Sequence, residues 1–239
     1  MGQTARPVLL VPYGLPRMTA TLPPPHRVTL FAGHYGSGKT NLAVNRALAL
    51  RAAGYPVAIA DLDIVNPYFR TKDSAAELAA AGIPLISPAF ANSNVDLPAL
   101  PKEVYELVDD RSTLAIFDVG GDDRGAYALG RYTPSILEEG DYEMIFVANF
   151  CRPLTRTAAE ALEVMREIEA AGGIPFTGIV NNSNIGEETT PETLRATYAT
   201  AEELARLSRL PILFCSADRR VAMQMEEPVF GMQLQKKVF

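Results

Sequence analysis

The chain has 239 residues, 48% of them hydrophobic, with 22 basic and 28 acidic side chains and a formal net charge of −6. That length is ample for one sizeable core, and the acidic balance argues against a dedicated nucleic-acid or anionic-membrane binder. Only two cysteines (Cys151 and Cys215) and two histidines (His26 and His34) occur, which excludes a disulfide framework, a paired-cysteine metal site and a histidine-rich zinc centre.

In chain order, residues 1–25 hold six prolines and read as an extended N-terminal arm. The apolar stretch 7–16 within it is interrupted by three prolines and is not read as a signal peptide. No apolar run approaches the length of a membrane-spanning helix, so stable membrane insertion is not expected and a cytoplasmic location is. The patterned part, residues 26–239, reads as one domain.

Residues 27–32 (RVTLFA) form a predicted strand that runs into a glycine-rich turn. An Ala/Leu-rich helix follows over 41–53 and stops at Gly54-Tyr55-Pro56. A buried strand is expected at 57–60 and a helix at 71–81, ended by Gly82. A short helix at 101–108 and a strand at 113–118 (TLAIFD) come next, then a strand at 142–149. The helix at 157–171 carries Ala161, Val164, Met165 and Ile168 on one face, with Glu160, Glu163 and Glu167 turned away. A strand at 176–181 precedes a helix capped by Thr190, with Pro191 in its first turn and Leu194, Tyr198, Ala201 and Leu204 as its stripe. A last strand is expected at 211–215. Short apolar strands alternating with helices predict an α/β fold, a mostly parallel sheet covered on both faces.

The charge is unevenly placed along this pattern. Residues 1–60 hold no acid but six basic residues, Arg6, Arg17, Arg27, Lys39, Arg46 and Arg51, and the first carboxylate is Asp61. A cationic first quarter in an acidic protein points to a bound anion. The residues Gly33-His34-Tyr35-Gly36-Ser37-Gly38-Lys39-Thr40 fit G-x-x-x-x-G-K-[ST] between a predicted strand and a predicted helix. Backbone N–H groups can wrap a polyphosphate only where side chains do not intrude, hence the glycines. Lys39 would neutralise the terminal phosphates and Thr40 would offer its hydroxyl to Mg²⁺. The helix that starts here aims its positive end at the same anion, with Asn41 in its first turn.

Two acidic clusters close strands downstream: Asp61-Leu62-Asp63 and Asp118-Val119-Gly120-Gly121-Asp122-Asp123. Ligands of parallel sheets gather at strand C-termini. Asp118, after four apolar residues, sits where a metal-holding carboxylate is needed, and the glycines behind it let backbone approach a γ-phosphate.

Taken together, GHYGSGKTN, VAIADLDIVNPYFR, LAIFDVGG and GIVNNSN, in this order, resemble the MinD/ParA family of P-loop ATPases over about residues 27–222. The same broad group holds the cobyrinic acid a,c-diamide synthase nucleotide-binding domain. The resemblance implies a three-layer αβα, doubly wound P-loop NTPase of the deviant-Walker-A group that binds ATP and Mg²⁺. It implies Lys39 and Asp63 as catalytic residues, Asp63 orienting water, and Thr40, Asp61 and Asp118 around the metal. Asn181, Ser216 and Asp218 fall where the family contacts the base, and no N-K-x-D guanine motif appears.

The family's signature lysine, one residue after the first loop glycine, is His34 here, followed by Tyr35 in place of glycine. Two readings follow: another cation such as Arg70 or Arg124 supplies the charge in cis or trans, or the protein is a slow or monomeric switch, and a solvated surface charge is the more ordinary role for either arginine. The expected activity is that of an ATP-hydrolysing switch acting on a protein partner, with nucleotide-dependent homodimerisation and no nucleic acid. The alternative is an ATP-dependent ligase or amidating enzyme, dethiobiotin synthetase-like or cobyrinate-synthase-like, acting on a small carboxylate. The C-terminal segment 229–239 is expected to dock on the domain, since Gly231 and its short length do not suit a membrane-lying helix.

Overall fold

Apolar runs four to seven residues long cannot hide both faces unless helices cover them, and the five central strands of this chain are buried along nearly their whole length. The computed structural model describes residues 24–63, 74–87, 102–121 and 123–235. Residues 1–23 of the expected arm, Arg70, Asp122, the side chains of Asp123 and Arg124, and residues 236–239 lie outside the described residues.

The first half runs β1 (Val28–Ala32), α1 (Lys39–Ala52), β2 (Val57–Leu62), α2 (Ala75–Ala80), β3 (Leu85–Ile86), α3 (Lys102–Asp109) and β4 (Leu114–Val119). The helices α4 (Asp123–Gly130) and α5 (Thr133–Glu139) lead to β5 (Tyr142–Ala148), α6 (Ala158–Gly172) and β6 (Gly178–Asn181). The chain continues through α7 (Pro191–Arg195), α8 (Tyr198–Ser208), β7 (Ile212–Asp218), α9 (Arg219–Ala222) and β8 (Val229–Met232). The strands make one eight-stranded sheet in the order β3-β2-β4-β1-β5-β6-β7-β8. Every pairing in it is parallel. Chain direction across the sheet reverses around β1, which makes the C-terminal end of β1 the crevice where such sheets bind ligands.

Alternation along the strands divides the core into two layers. Val28, Leu30 and Ala32 of β1 face α3, α4, α5, α6 and α8, with Tyr132, Phe117, Phe146 and Met165 among the buried residues there. Phe31 faces the other way, onto Leu42, Val44, Ala47 and Leu50 of α1 and Leu78 of α2. The expected α/β, doubly wound, three-layer architecture is the one found.

Some elements differ from the reading of the sequence. The helix expected from Thr190 onward is two helices, broken at Ala196 and Thr197. The Thr197 hydroxyl donates to the Leu194 carbonyl (2.7 Å) and accepts from the Asn181 amide (3.0 Å), so a side chain competes with the helix ladder at the break. The helices α4 and α5 were not anticipated, because glycines at 120, 121, 125 and 130 dilute their apolar pattern. At the C-terminus the segment beginning at Val229 is a parallel edge strand against β7. Beyond it the chain docks on α1, where Asn45 exchanges two hydrogen bonds with the Gln233 backbone and Asn41 Oδ1 accepts from Gln235 N.

One buried ion pair tests how far the lower edge of the sheet depends on charge. Arg27 Nε and one terminal nitrogen donate to both oxygens of Glu139, and the guanidinium also reaches the Leu107 and Val108 carbonyls. Both side chains are nearly inaccessible, at 6% and 11% exposure. Removing one partner of such a pair strands the other charge, so Glu139→Ala is expected to cost about 3 kcal/mol of stability. A shift in the urea midpoint measures this, and an unshifted midpoint would mean the pair is screened.

Candidate functional site

Residues 33–40 join β1 to α1 in the crevice beside β4. Gly38, the residue before the helix, adopts φ +92, a left-handed conformation that favours glycine. A Cβ there would also stand 2.2 Å from Asn182 Nδ2. Lys39 opens α1 and is buried, with its ammonium 3.4 Å from the His34 carbonyl it curls back toward. The following Thr40 donates its hydroxyl to Asp118 Oδ2 at 2.6 Å, and Asp118 has no exposed surface. Parallel register sets Asp61 at the end of β2 directly beside Asp118. Asp61 Oδ1 accepts from the Asp63 backbone N–H at 2.9 Å.

The backbone after β4 closes this cluster. A Cβ on Gly121 would lie 2.8 Å from Tyr35 N, 2.9 Å from the Gly33 carbonyl and 2.9 Å from Lys39 Nζ. The chain after Asp118 therefore rests against the loop and its lysine, and only a glycine fits. Gly121→Ala is expected to push this backbone off the loop and impair the site while the fold, whose core lies elsewhere, keeps its thermal midpoint within a few degrees. Nucleotide titration alongside a melting curve would show it; full binding in the variant would mean that the contact is incidental.

On the other side of β1, strand ends carry amides. Asn182 Nδ2 donates to the Ser37 carbonyl at 2.7 Å, and its Oδ1 accepts from the buried Ser216 hydroxyl at 3.0 Å. Asn149, after β5, reaches the Asn184 carbonyl and, at 3.4 Å, the Gly36 carbonyl. Asn181 points to the opposite face of β6. It is fully buried, with its amide committed to Thr197 and its oxygen to Ser183. Asp218 caps α9 by accepting from Arg220 N (2.7 Å), and Asn41 is engaged with Gln235.

The structure thus brings Gly33, Lys39, Thr40, Asp61, Asp63 and Asp118 together, and places Asn181 away from the loop. Asn182 and Asn149 are the amides sequence reasoning missed. Two adjacent asparagines at a strand end cannot both face the loop, and only the pairing of β6 shows which does. Asn149 was signalled by a polar residue ending an apolar strand.

Among the described residues no group of three His, Cys, Asp or Glu is placed to hold a metal. A hard cation that keeps several waters and shares phosphate oxygens needs only one or two protein ligands, and the Thr40–Asp118 oxygens fit that donor set. Burial raises the pKa of the Cys151 thiol and pushes that of Cys215 up to about 12, which favours the protonated thiol at both. No helix among the described residues is long and apolar enough to cross a membrane.

No protein-family model and no curated protein matches the sequence. Among solved structures, the cell division protein ftsY of Thermotoga maritima is similar at TM-score 0.59 and 16% identity, over 92% of this chain and 68% of that one. The signal recognition particle receptor FtsY of Elizabethkingia anophelis, in complex with GDP, aligns at TM-score 0.50 and 15% identity over 91% of this chain and 62% of its own. The signal recognition particle 54 kDa protein of Aeropyrum pernix, also with GDP, gives 0.51 and 16% over 88% of this chain and 44% of its own. The chain spans less than two thirds of the last two proteins. At these identities the likeness establishes the fold alone, a parallel α/β sheet covered by helices on both faces. The resemblance to MinD/ParA proteins is carried by the sequence motifs alone.

Proposed function

We propose that the chain is an ATP-binding and ATP-hydrolysing switch of the MinD/ParA type, whose nucleotide state sets its affinity for a protein partner. The observation that carries this reading is the seat of Gly121 against Tyr35 and Lys39. A backbone segment that follows the Asp118 strand and touches the phosphate-binding loop must respond to whatever occupies that loop. Responsive segments of this kind turn the presence of a terminal phosphate into a change of surface.

Lys39 would bind the terminal phosphates, and the N-terminus of α1 would add its positive end. Thr40 and Asp118 would hold Mg²⁺, with Asp61 beside them, and the ion would neutralise phosphate charge. Asp63, close to Gly120, would orient the attacking water.

Adenine is favoured over guanine by the loop after β6. Asn182 is the asparagine anchored to the phosphate-binding loop, so N-K-x-D counted from it would place its aspartate at Ile185. Guanine offers two donors on its Watson–Crick edge, and an isoleucine cannot accept from them. The GDP in two of the structural neighbours makes guanine the competing reading.

Competition of ATP, ADP, GTP and GDP against a fluorescent nucleotide, followed by limited proteolysis in each state, tests the proposal. ATP is expected to win, and the ATP and ADP states to differ in cleavage pattern. Preference for GTP would overturn the base assignment, and identical patterns would overturn the switch. Phosphate release that strictly requires an added carboxylic acid would favour a ligase instead.

A further inference from the structure

The resemblance places a lysine at position 34, and this chain has a histidine there, so the loop rim lacks the permanent positive charge a lysine would bring. A guanidinium reaches that loop from the connection between β5 and α6. Arg152 lies over Gly36: from the position a Cβ would take on that glycine, Arg152 Nε is 3.4 Å away, Cζ 3.7 Å and Cδ 3.8 Å.

The connection is held firmly in this place. Asn149, 1% exposed, accepts from the backbone N–H groups of Cys151 (3.0 Å) and Asn184 (3.1 Å). Thr155, 2% exposed, donates its hydroxyl to the Asn149 carbonyl at 2.7 Å. Phe150 N donates to the Ser183 hydroxyl at 3.0 Å, and Arg152 N closes a turn onto the Asn149 carbonyl at 3.2 Å. The turn therefore presents the arginine from a buried, fully bonded base. Arg27, Arg195, Arg206 and Arg220 all stand within ion-pair distance of carboxylates. Arg152 makes no such pair among the described residues, and it is exposed.

Its position along the loop indicates which end of a polyphosphate it would meet. Gly121 approaches Tyr35 from the β4 side, and Arg152 approaches the next residue, Gly36, from the β5 side. Both press on the outer part of the loop, ahead of the Gly38–Thr40 turn into α1.

We propose that Arg152 is a phosphate-contacting residue of the nucleotide site, supplying in cis the second positive charge for the terminal phosphate of a bound triphosphate. This rests on the nucleotide-binding reading above and adds the residue that replaces the missing lysine. A guanidinium suits the task because it stays charged at every physiological pH and can donate to two phosphate oxygens at once.

The test is isothermal calorimetry of wild type, Arg152→Gln and Arg152→Lys with the non-hydrolysable triphosphates AMP-PNP and GMP-PNP and with ADP and GDP, with melting curves of each protein. Arg152→Gln should lose about 10- to 100-fold in affinity for the triphosphate that wild type binds, the size of one charge-assisted hydrogen bond. Loss for the matching diphosphate should be less than about 3-fold, Arg152→Lys should recover part of the difference, and the melting temperature should not move. Triphosphate affinity unchanged in Arg152→Gln, or equal losses for tri- and diphosphate, would overturn the assignment while leaving nucleotide binding intact. A wild-type protein that binds none of the four nucleotides would instead remove the reading on which it rests.

Discussion

Lys39→Ala is expected to abolish tight triphosphate binding, with an affinity loss of about 100-fold or more, since each hydrogen bond to a charged group contributes about 1.5–3 kcal/mol and an ammonium between two phosphates makes at least two. The side chain is buried and curls toward the His34 carbonyl, in contact range of the Gly121 backbone. A denaturant curve of the apo variant separates a binding defect from a folding defect. Residual weak binding is expected, because the loop backbone and the α1 dipole remain. Unchanged affinity by calorimetry would refute the assignment of residues 33–40 as a phosphate-binding loop.

The same loop shows what the sequence could and could not reveal. Its motif, the strand before it and the helix after it were legible because each depends on local chemistry: glycines for a turn, an apolar run for a strand, an Ala/Leu-rich stretch for a helix. The sheet class followed from alternation. What stayed hidden depends on register and on contacts distant in sequence. Asp61 and Asp118 are 57 positions apart, and only the pairing of β2 with β4 makes them neighbours. Asn182 rather than Asn181 faces the loop because of the face that β6 presents to α1. The seat of Arg152 on Gly36 depends on Asn149 and Thr155 folding a turn whose sequence, FCRPLTRT, carries no recognised motif. The candidates named from sequence for the missing charge, Arg70 and Arg124, follow the acidic clusters at 61–63 and 118–123 in the chain, and Arg70 and the Arg124 side chain lie outside the described residues.

Asp63→Ala is expected to leave nucleotide affinity within about 3-fold of wild type and to slow hydrolysis by about 100- to 1,000-fold, the range for losing a group that handles the nucleophile's proton or orients it. The geometry separates its role from that of its neighbours. Asp118 is tied to Thr40 at 2.6 Å, where the proposed Mg²⁺ would be held, and Asp61 accepts from the Asp63 backbone N–H. Asp63 itself stands beside the Gly120 backbone, its Oδ1 3.3 Å from where a Cβ on that glycine would be. It is thus held against the segment that ends in Gly121, next to the loop residue Tyr35, on the side where a terminal phosphate would end. A carboxylate there can accept a proton from a water molecule, whereas the amide of Asp63→Asn keeps the shape and loses that capacity. Single-turnover phosphate release should therefore fall in Asp63→Asn nearly as far as in Asp63→Ala. Turnover at the wild-type rate in both would overturn the water-orienting role. Loss of nucleotide binding in both, with the fold intact, would move Asp63 into the metal-holding group beside Asp118, because a residue needed only for the chemical step leaves the ground-state complex unchanged.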